Sequence, residues 1–480
     1  MNLYDLLASR FPADRSKPCF LLSDGRAISY GELEAGAAHA AGRLVAQGVQ
    51  PGDRVALQAE KSAEVIMIYL GVLKAGAVFL PLNSAYTASE VDYFRGDAEP
   101  KVFVTDPPAW VAEAAGHAPL EATAPRAAGD LASLIYTSGT TGRSKGAMLS
   151  HGNLAENALA LHAAWGFTPD DVLLHALPIF HVHGLFVALH CALLSGCPMV
   201  WLPKFADAEV LAGLDRATVM MGVPTFYTRL LANPGFTREV AAGVRAFICG
   251  SAPLLPSTFA EFEARTGQRI LERYGMSEAV IITSNPLDGE RIAGSVGYPL
   301  PGVELRIGGE ETPSIASGDT SPDGGGTGVI QIRGPSVFSG YWRMPEKTAE
   351  EFTADGFFIT GDVGRCDSDG RVWISGRAKD LIISGGYNVY PKEVELVLDE
   401  LPGVVESAVI GVPHRDLGEG VVAVVMGQGD EAAMIAEARR QLAAYKAPKR
   451  VVFVDELPRN AMGKVQKNLL RQRYERLFES

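Results

Sequence analysis

Polar and apolar positions along the first third of the chain group into alternating helix-like and strand-like blocks. Residues 29–48, SYGELEAGAAHAAGRLVAQG, form an Ala-rich block with a serine start and a glycine stop, which predicts a helix. DRVALQA (53–59) is a short apolar run of strand type, and AEVIMIYLGVLKAG (63–76) returns to helix. Such alternation predicts a parallel sheet covered by helices. Residues 109–129 turn to Ala, Pro and Gly without clear periodicity and read as a surface connection. ATVMMGVPT (217–225) and RAFICGSAPL (245–254) are apolar runs that end in Gly or Pro turns, as buried strands leading into binding loops do. The most apolar stretch, 185–202, is broken by His190, Ser195, Gly196 and Pro198, so it predicts buried helix and strand, not a membrane span.

A second connection, 308–328, is rich in turn formers. VIQIRG, FFITGDVGRC and RVWISG follow with hairpin-like spacing and predict a small β-rich subdomain. From 376 the texture changes again: VVESAVIGVP, a helix at DEAAMIAEARRQLAAY and VVFVDELP describe a compact α+β unit. The expected organisation is therefore a large N-terminal domain of helix-covered sheets, 1–378, and a small C-terminal domain, 379–480.

Composition narrows the function. The chain has 480 residues, 47% hydrophobic and 21% charged, which excludes disorder and small disulfide scaffolds. Its formal charge of −13, from 43 basic and 56 acidic residues, argues against nucleic acid as a partner, so any phosphate should be bound locally. Five scattered cysteines without a CxxC pair suggest neither a zinc site nor a disulfide framework. They read as reduced thiols, and with acidic residues where a signal peptide needs a basic start, a cytoplasmic location is expected.

The densest chemical signal is YTSGTTGRSKG (136–146), directly behind the apolar run LASLI. Its glycines can turn backbone amides inward, its hydroxyls add donors and Lys145 adds charge, which together make a polyphosphate cradle. It is not the GxxxxGK[ST] loop, because Gly139 is followed five residues later by Ser144.

TSGTTGRSKG resembles the signature of adenylate-forming enzymes, the group of acyl-CoA synthetases, luciferases and peptide-synthetase adenylation domains. YGMSE (274–278), TGD (360–362), GRAKD (376–380) and PRNAMGK (458–464) follow in the order that family shows. The resemblance implies ATP, Mg²⁺ and CoA, and a fold with a mobile C-terminal domain. Nucleotide contacts would come from Thr137, Ser138, Gly139, Thr140, Thr141, Gly142 and Lys145. Gly250, Ser251 and Ala252 would pack on adenine, with Tyr274 on its other face or serving as a core tyrosine. Asp362 would accept the ribose hydroxyls, with Arg377 reaching ribose or phosphate. Ser277, where the family usually has Thr, would bond the α-phosphate, and Glu278 would hold the metal. Lys464 resembles the mobile catalytic lysine and Lys379 the hinge. Gly385 and Gly386 would let the pantetheine arm pass the backbone, or simply form a turn.

Long greasy acids would call for small apolar residues around the acyl pocket. Here Arg229 in TFYTRLL, Arg291 in DGERIAG, and His181 and His183 in FHVHG stand instead. A buried arginine is costly unless an anion meets it, so a second carboxylate on the substrate would explain these residues together. HALPIFHVHGLF, MGVPTFYTRLL and TSNPLDGERIAGSVG are similar to strings of malonyl-CoA synthetases, which implies malonate, with methylmalonate tolerated. Spacing alone also allows Arg229 on a helix surface and Arg291 paired with Asp288 or Glu290. By resemblance His181 is an active-site gate, while His183 could be a satisfied core residue. The wholly apolar AVII (279–282) could make room for a methyl branch or mark another acid. Ligases for other short or aryl acids, luciferase-type oxidation and a non-catalytic nucleotide-binding protein are the rival readings.

Overall fold

The computed structural model describes residues 1–137, 144–308, 326–385, 387–460 and 463–478. It divides into two compact units, Met1–Glu304 with Arg333–Phe352, and Leu305–Ile332 with Thr353–Ser480. By packing, the β-rich segment expected inside the large domain thus groups with the C-terminal residues.

The larger unit is α/β. Among its described residues, one sheet runs in the order Val102–Val104, Arg54–Gln58, Val78–Leu82, Leu131–Thr137, Lys145–Ser150. Its pairings are parallel except the last, which is antiparallel. Ser29 caps the helix Tyr30–Ala46 reciprocally with Glu32, which explains why the serine start was a reliable signal. That helix and Ala63–Lys74 pack closely: a methyl on Gly71 would stand 2.7 Å from the Ala40 Cβ. A second sheet contains the parallel strands Phe20-side Pro18–Leu22, Met199–Trp201, Leu173–His175, Val219–Gly222, Ala246–Cys249 and Leu271–Met276. The strands Val280–Ser284 and Ser295–Pro299 continue it in antiparallel sense. All four residues of Val219–Gly222 and of Ala246–Cys249 are buried, as continuous apolar runs in a helix-covered parallel sheet should be.

Two local differences from the sequence expectation have clear causes. Residues 109–114 lie within a helix, Pro107–Ala114: Asp106 caps it, a proline opens it, and buried Trp110 carries the Arg43 guanidinium over its ring at 4.4 Å. Within 185–202, the first turn is a π-helix, His183–Ala188, before the α-helix Leu189–Ser195. No helix among the described residues is long and apolar enough to cross a membrane.

In the smaller unit, residues 328–332 pair antiparallel with Phe358–Cys366, which pairs antiparallel with Val372–Arg377. A separate sheet orders Tyr387–Val389, Ile382–Ser384, Gly418–Gly427 and Val404–His414, with Arg450–Val454 also on Gly418–Gly427. Residues of Gly418–Gly427 alternate between two apolar clusters: Val421, Ala423 and Val425 join one, Val422 and Val424 the other. Most of the 308–328 connection lies outside the described residues.

Candidate active site

In the larger unit, the phosphate loop leaves a buried strand and returns antiparallel, with Thr137 opposite Lys145. Ser138, Gly139, Thr140, Thr141 and Gly142 lie outside the described residues. Tyr93 donates its hydroxyl to the Ser144 carbonyl at 2.9 Å, which fixes the returning edge. Lys145 Nζ lies 2.9 Å from Glu351 Oε1 and over the Tyr341 ring at 4.1 Å.

YGMSE turns between the strands Leu271–Met276 and Val280–Ser284, with Met276 opposite Val280. Gly275 is obligatory there, because a Cβ would lie 1.9 Å from the Val280 carbonyl oxygen. Val280 itself takes a φ of 57°, a strained conformation for a β-branched residue. The tight turn leaves Ser277 half-buried and buries Glu278, whose Oε1 accepts from the Tyr341 hydroxyl at 3.1 Å. Tyr274 is half-buried and AVII fully buried.

Residues 250–252 follow the buried strand Ala246–Cys249. Ser251 has a φ of 70°, and its Oγ lies 3.2 Å from His183 Nδ1, while Ala252 is exposed. His183 is buried, and its Nε2 has no hydrogen-bond partner among the described residues. Its backbone N–H donates to His181 Nδ1 at 3.3 Å. Burial, then the charges of Arg273 and neighbouring His181 and His175, holds His183 well below the ordinary imidazole pKa, so it is neutral.

A residue that the sequence reading passed over stands beside it. Arg273, in ERYGMSE, is 4% exposed, and its Nε and Nη2 lack hydrogen-bond partners among the described residues. Burial lowers its pKa to about 10, so it stays charged at neutral pH. The guanidinium lies so flat on Gly250 that a Cβ there would be 2.5 Å from its Cζ. Arg229, by contrast, is exposed on the helix Pro224–Ala232, 5.9 Å from the Phe205 ring centroid. Arg291 donates from Nε, Nη1 and Nη2 to the carbonyls of Pro286, Arg269 and Leu287 at 3.1, 2.6 and 2.5 Å. Of the two arginines expected to meet an anion, Arg229 thus lies on a helix surface and Arg291 spans a loop.

In the smaller unit, Asp362 is 4% exposed and opposite Arg377 across a hairpin, with Arg377 Nε 2.8 Å from Asp362 Oδ1. Lys379 follows in a short 3₁₀ turn, Ala378–Asp380. Partial desolvation and the cations Arg377, Arg471 and Lys464 lower its pKa against the opposing Asp380. Lys464 is exposed on a small loop: its N–H donates to Asn460 Oδ1 at 3.0 Å, and its carbonyl accepts from Asn460 N–H at 2.9 Å. Gly385 has a φ of 60°, and Gly386 lies outside the described residues.

The model of the AMP-binding enzyme family matches residues 7–342, and that of the AMP-binding enzyme C-terminal domain matches 393–464. The chain belongs to the AMP-binding enzyme family. The crystal structure of ATP-bound MatB from Rhodopseudomonas palustris is 53% identical, covers 100% of both chains and superposes with a TM-score of 0.92. A malonate–CoA ligase of Arabidopsis thaliana is 33% identical over 94% of this chain and 86% of its own. A feruloyl-CoA synthase of an Amycolatopsis species is 37% identical over 94% of each. The α/β fold with a small C-terminal unit is thus that of AMP-binding enzymes, and the Glu278 turn and the phosphate-loop strands lie within the matched span.

Proposed function

We propose that this AMP-binding enzyme is an ATP-dependent acid–CoA ligase that activates malonate, with methylmalonate tolerated. The observation that carries the acid is Arg273. A buried guanidinium with unmet donors is costly, and a substrate carboxylate would relieve that cost. Malonate brings two carboxylates: one is consumed in the reaction and the other is free to meet Arg273 beside His183. The malonate–CoA ligase relative supports the same acid. The feruloyl-CoA synthase relative favours an aryl acid, but ferulate has a single carboxylate, which activation consumes, and would leave Arg273 unpaired.

The reaction has two halves. The acid attacks the α-phosphate of ATP and releases pyrophosphate, and the CoA thiol then displaces AMP from the acyl-adenylate. In the first half two anions approach, and Lys464 would lower that barrier with positive charge on both. Asp362 would take the ribose hydroxyls, Arg377 ribose or phosphate, Ser277 the α-phosphate, and Lys145 with the 137–142 loop the remaining phosphates. Gly250, Ser251, Ala252 and Tyr274 would receive adenine, and His181 would gate the pocket. Glu278 suits Mg²⁺. No cluster of three or more His, Cys, Asp or Glu among the described residues could hold a metal alone, and Mg²⁺ takes one or two carboxylates with phosphates and water. When bound it would neutralise phosphate charge. A border at Lys379 would let residues 379–480 move between the halves, with Gly385 and Gly386 beside the pantetheine arm. A cytoplasmic location agrees with the free cysteines Cys19, Cys191, Cys197, Cys249 and Cys366.

The test is CoA-dependent AMP release with acetate, malonate, methylmalonate, succinate, benzoate and ferulate. Malonate should give the highest kcat/KM. Preference for acetate, benzoate or ferulate would overturn the diacid reading while leaving the ligase class intact.

A further inference from the structure

Within the larger unit, the lysine of the phosphate loop and the carboxylate of the Glu278 turn are joined through Tyr341 and through Glu351, a residue that none of the motifs contains. Glu351 lies just beyond the helix Pro345–Glu350, and its two oxygens face different partners. Oε1 is 2.9 Å from Lys145 Nζ, with Lys347 Nζ also at 3.3 Å, and Oε2 accepts from the Tyr341 hydroxyl at 2.7 Å. The same hydroxyl lies 3.1 Å from Glu278 Oε1. A tyrosine carries one hydroxyl proton, so it serves one carboxylate at a time.

Backbone pairing fixes this arrangement. Ala147 bridges Tyr341, Trp342 N–H donates to the Gly146 carbonyl at 2.8 Å, and Met148 N–H donates to the Gly340 carbonyl at 3.0 Å. Lys145 is 18% and Glu351 20% exposed, so the pair is partly withdrawn from water and stronger than a surface ion pair. A lysine ammonium has three donors. Glu351 takes one and the Tyr341 ring attracts the charge from its face, so donors remain for phosphate.

We propose that Glu351 is a positioning residue, which holds the Lys145 ammonium ready for nucleotide phosphate and is linked to Glu278 through the Tyr341 hydroxyl. The proposal rests on the reading of this chain as an ATP-using ligase. It adds a carboxylate outside the signature motifs and a preorganised lysine, whose rotamer freedom is spent before ATP arrives.

The test is calorimetric binding of AMP and of α,β-methylene-ATP, with Mg²⁺ and without acid or CoA, so that no chemistry occurs. Glu351→Gln should raise the Kd of the triphosphate analogue roughly 10-fold and change that of AMP by less than about 2-fold. In a Lys145→Gln background the same substitution should add nothing further. Equal weakening of both nucleotides, unchanged triphosphate binding, or additive losses would each overturn the proposal. Should Glu351→Gln fail to fold, Tyr341→Phe carries the test, with a smaller selective loss of triphosphate affinity as the required result. A wild-type chain that binds neither nucleotide would instead sink the ligase reading itself.

Discussion

Arg273 is held by its surroundings more than by its own hydrogen bonds, and that makes its role separable from stability. Replacing it with Gln keeps some polarity but removes the charge, and should raise the KM for malonate about 100-fold while moving the KM for ATP less than about 2-fold. Gly250→Ala should imitate it, because the new methyl would meet the end of a flexible guanidinium and push it aside; a rise of roughly 10-fold in malonate KM with little change in melting temperature is the expected result. Arg229→Ala, at an exposed position, should change neither constant by more than about 2-fold. Steady-state kinetics on the three variants decide the matter: comparable losses at Arg229 and Arg273 would return the anion contact to the exposed residue. In the sequence, Glu278 was legible because YGMSE follows the phosphate motif in family order. Arg273 directly precedes YGMSE, and its signal was a cation in the buried first half of the strand Leu271–Met276. Arg229 and Arg291 drew notice instead because sequence spacing does not reveal that one faces solvent and the other faces three carbonyls.

Elements were legible where local signals and packing agreed. The capping box at Ser29 and Glu32, and the apolar runs that became Val219–Gly222 and Ala246–Cys249, satisfied both. Helix Pro107–Ala114 was missed because its alanines carry no rhythm; Asp106 and the prolines after it were the readable start. The loop that bears Lys464 is held without a buried core. Arg459 bridges Val465, Arg459 Nη1 donates to the Gly463 carbonyl at 2.8 Å, and Gly463 takes a φ of 76°. The loop is braced at its base while Lys464 stays exposed, an arrangement that agrees with the role proposed for it in one half-reaction. Lys464→Ala should lower adenylation roughly 1,000-fold, measured as malonate-dependent exchange of pyrophosphate into ATP, yet leave thioester formation from supplied malonyl-adenylate within about 3-fold. Loss of both halves would contradict the division of labour.

At the scale of the larger unit, buried titratable groups set an opposition that pH can expose. His151 and His190 are buried with pKa values lowered to about 4 and about 3, His175 and His183 are held well below the ordinary value, and in each case burial is the main cause. Unfolding would release all four to the usual value near 6.5. Below that pH the unfolded chain binds more protons than the folded one, so stability falls as pH falls. Glu272 acts in the other direction. Burial raises its pKa to about 8, against a hydrogen bond from Gly294 N–H that lowers it, so the folded unit holds a proton that the unfolded chain loses near pH 4.5. Between those values stability falls as pH rises. From pH 4.5 to 6.5 four histidines outweigh one carboxyl and the net slope is positive. At pH 6.5 the unfolded chain's four histidines are still half protonated, so Glu272 balances them only near pH 7; from about 7 to 8 it outweighs them, at up to about 1.4 kcal/mol per pH unit, while buried Lys61, held well below the ordinary lysine value, pulls the other way. The ligand-free protein should therefore lose melting temperature in differential scanning calorimetry as pH falls below about 7, and Glu272 should pull its first transition down between about pH 7 and 8. Glu272→Gln removes the titration but keeps an acceptor for Gly294, and should raise the melting temperature above about pH 7 relative to the unchanged chain while leaving the acid limb in place. An alkaline limb that persists unchanged in that variant would show that some other group carries it.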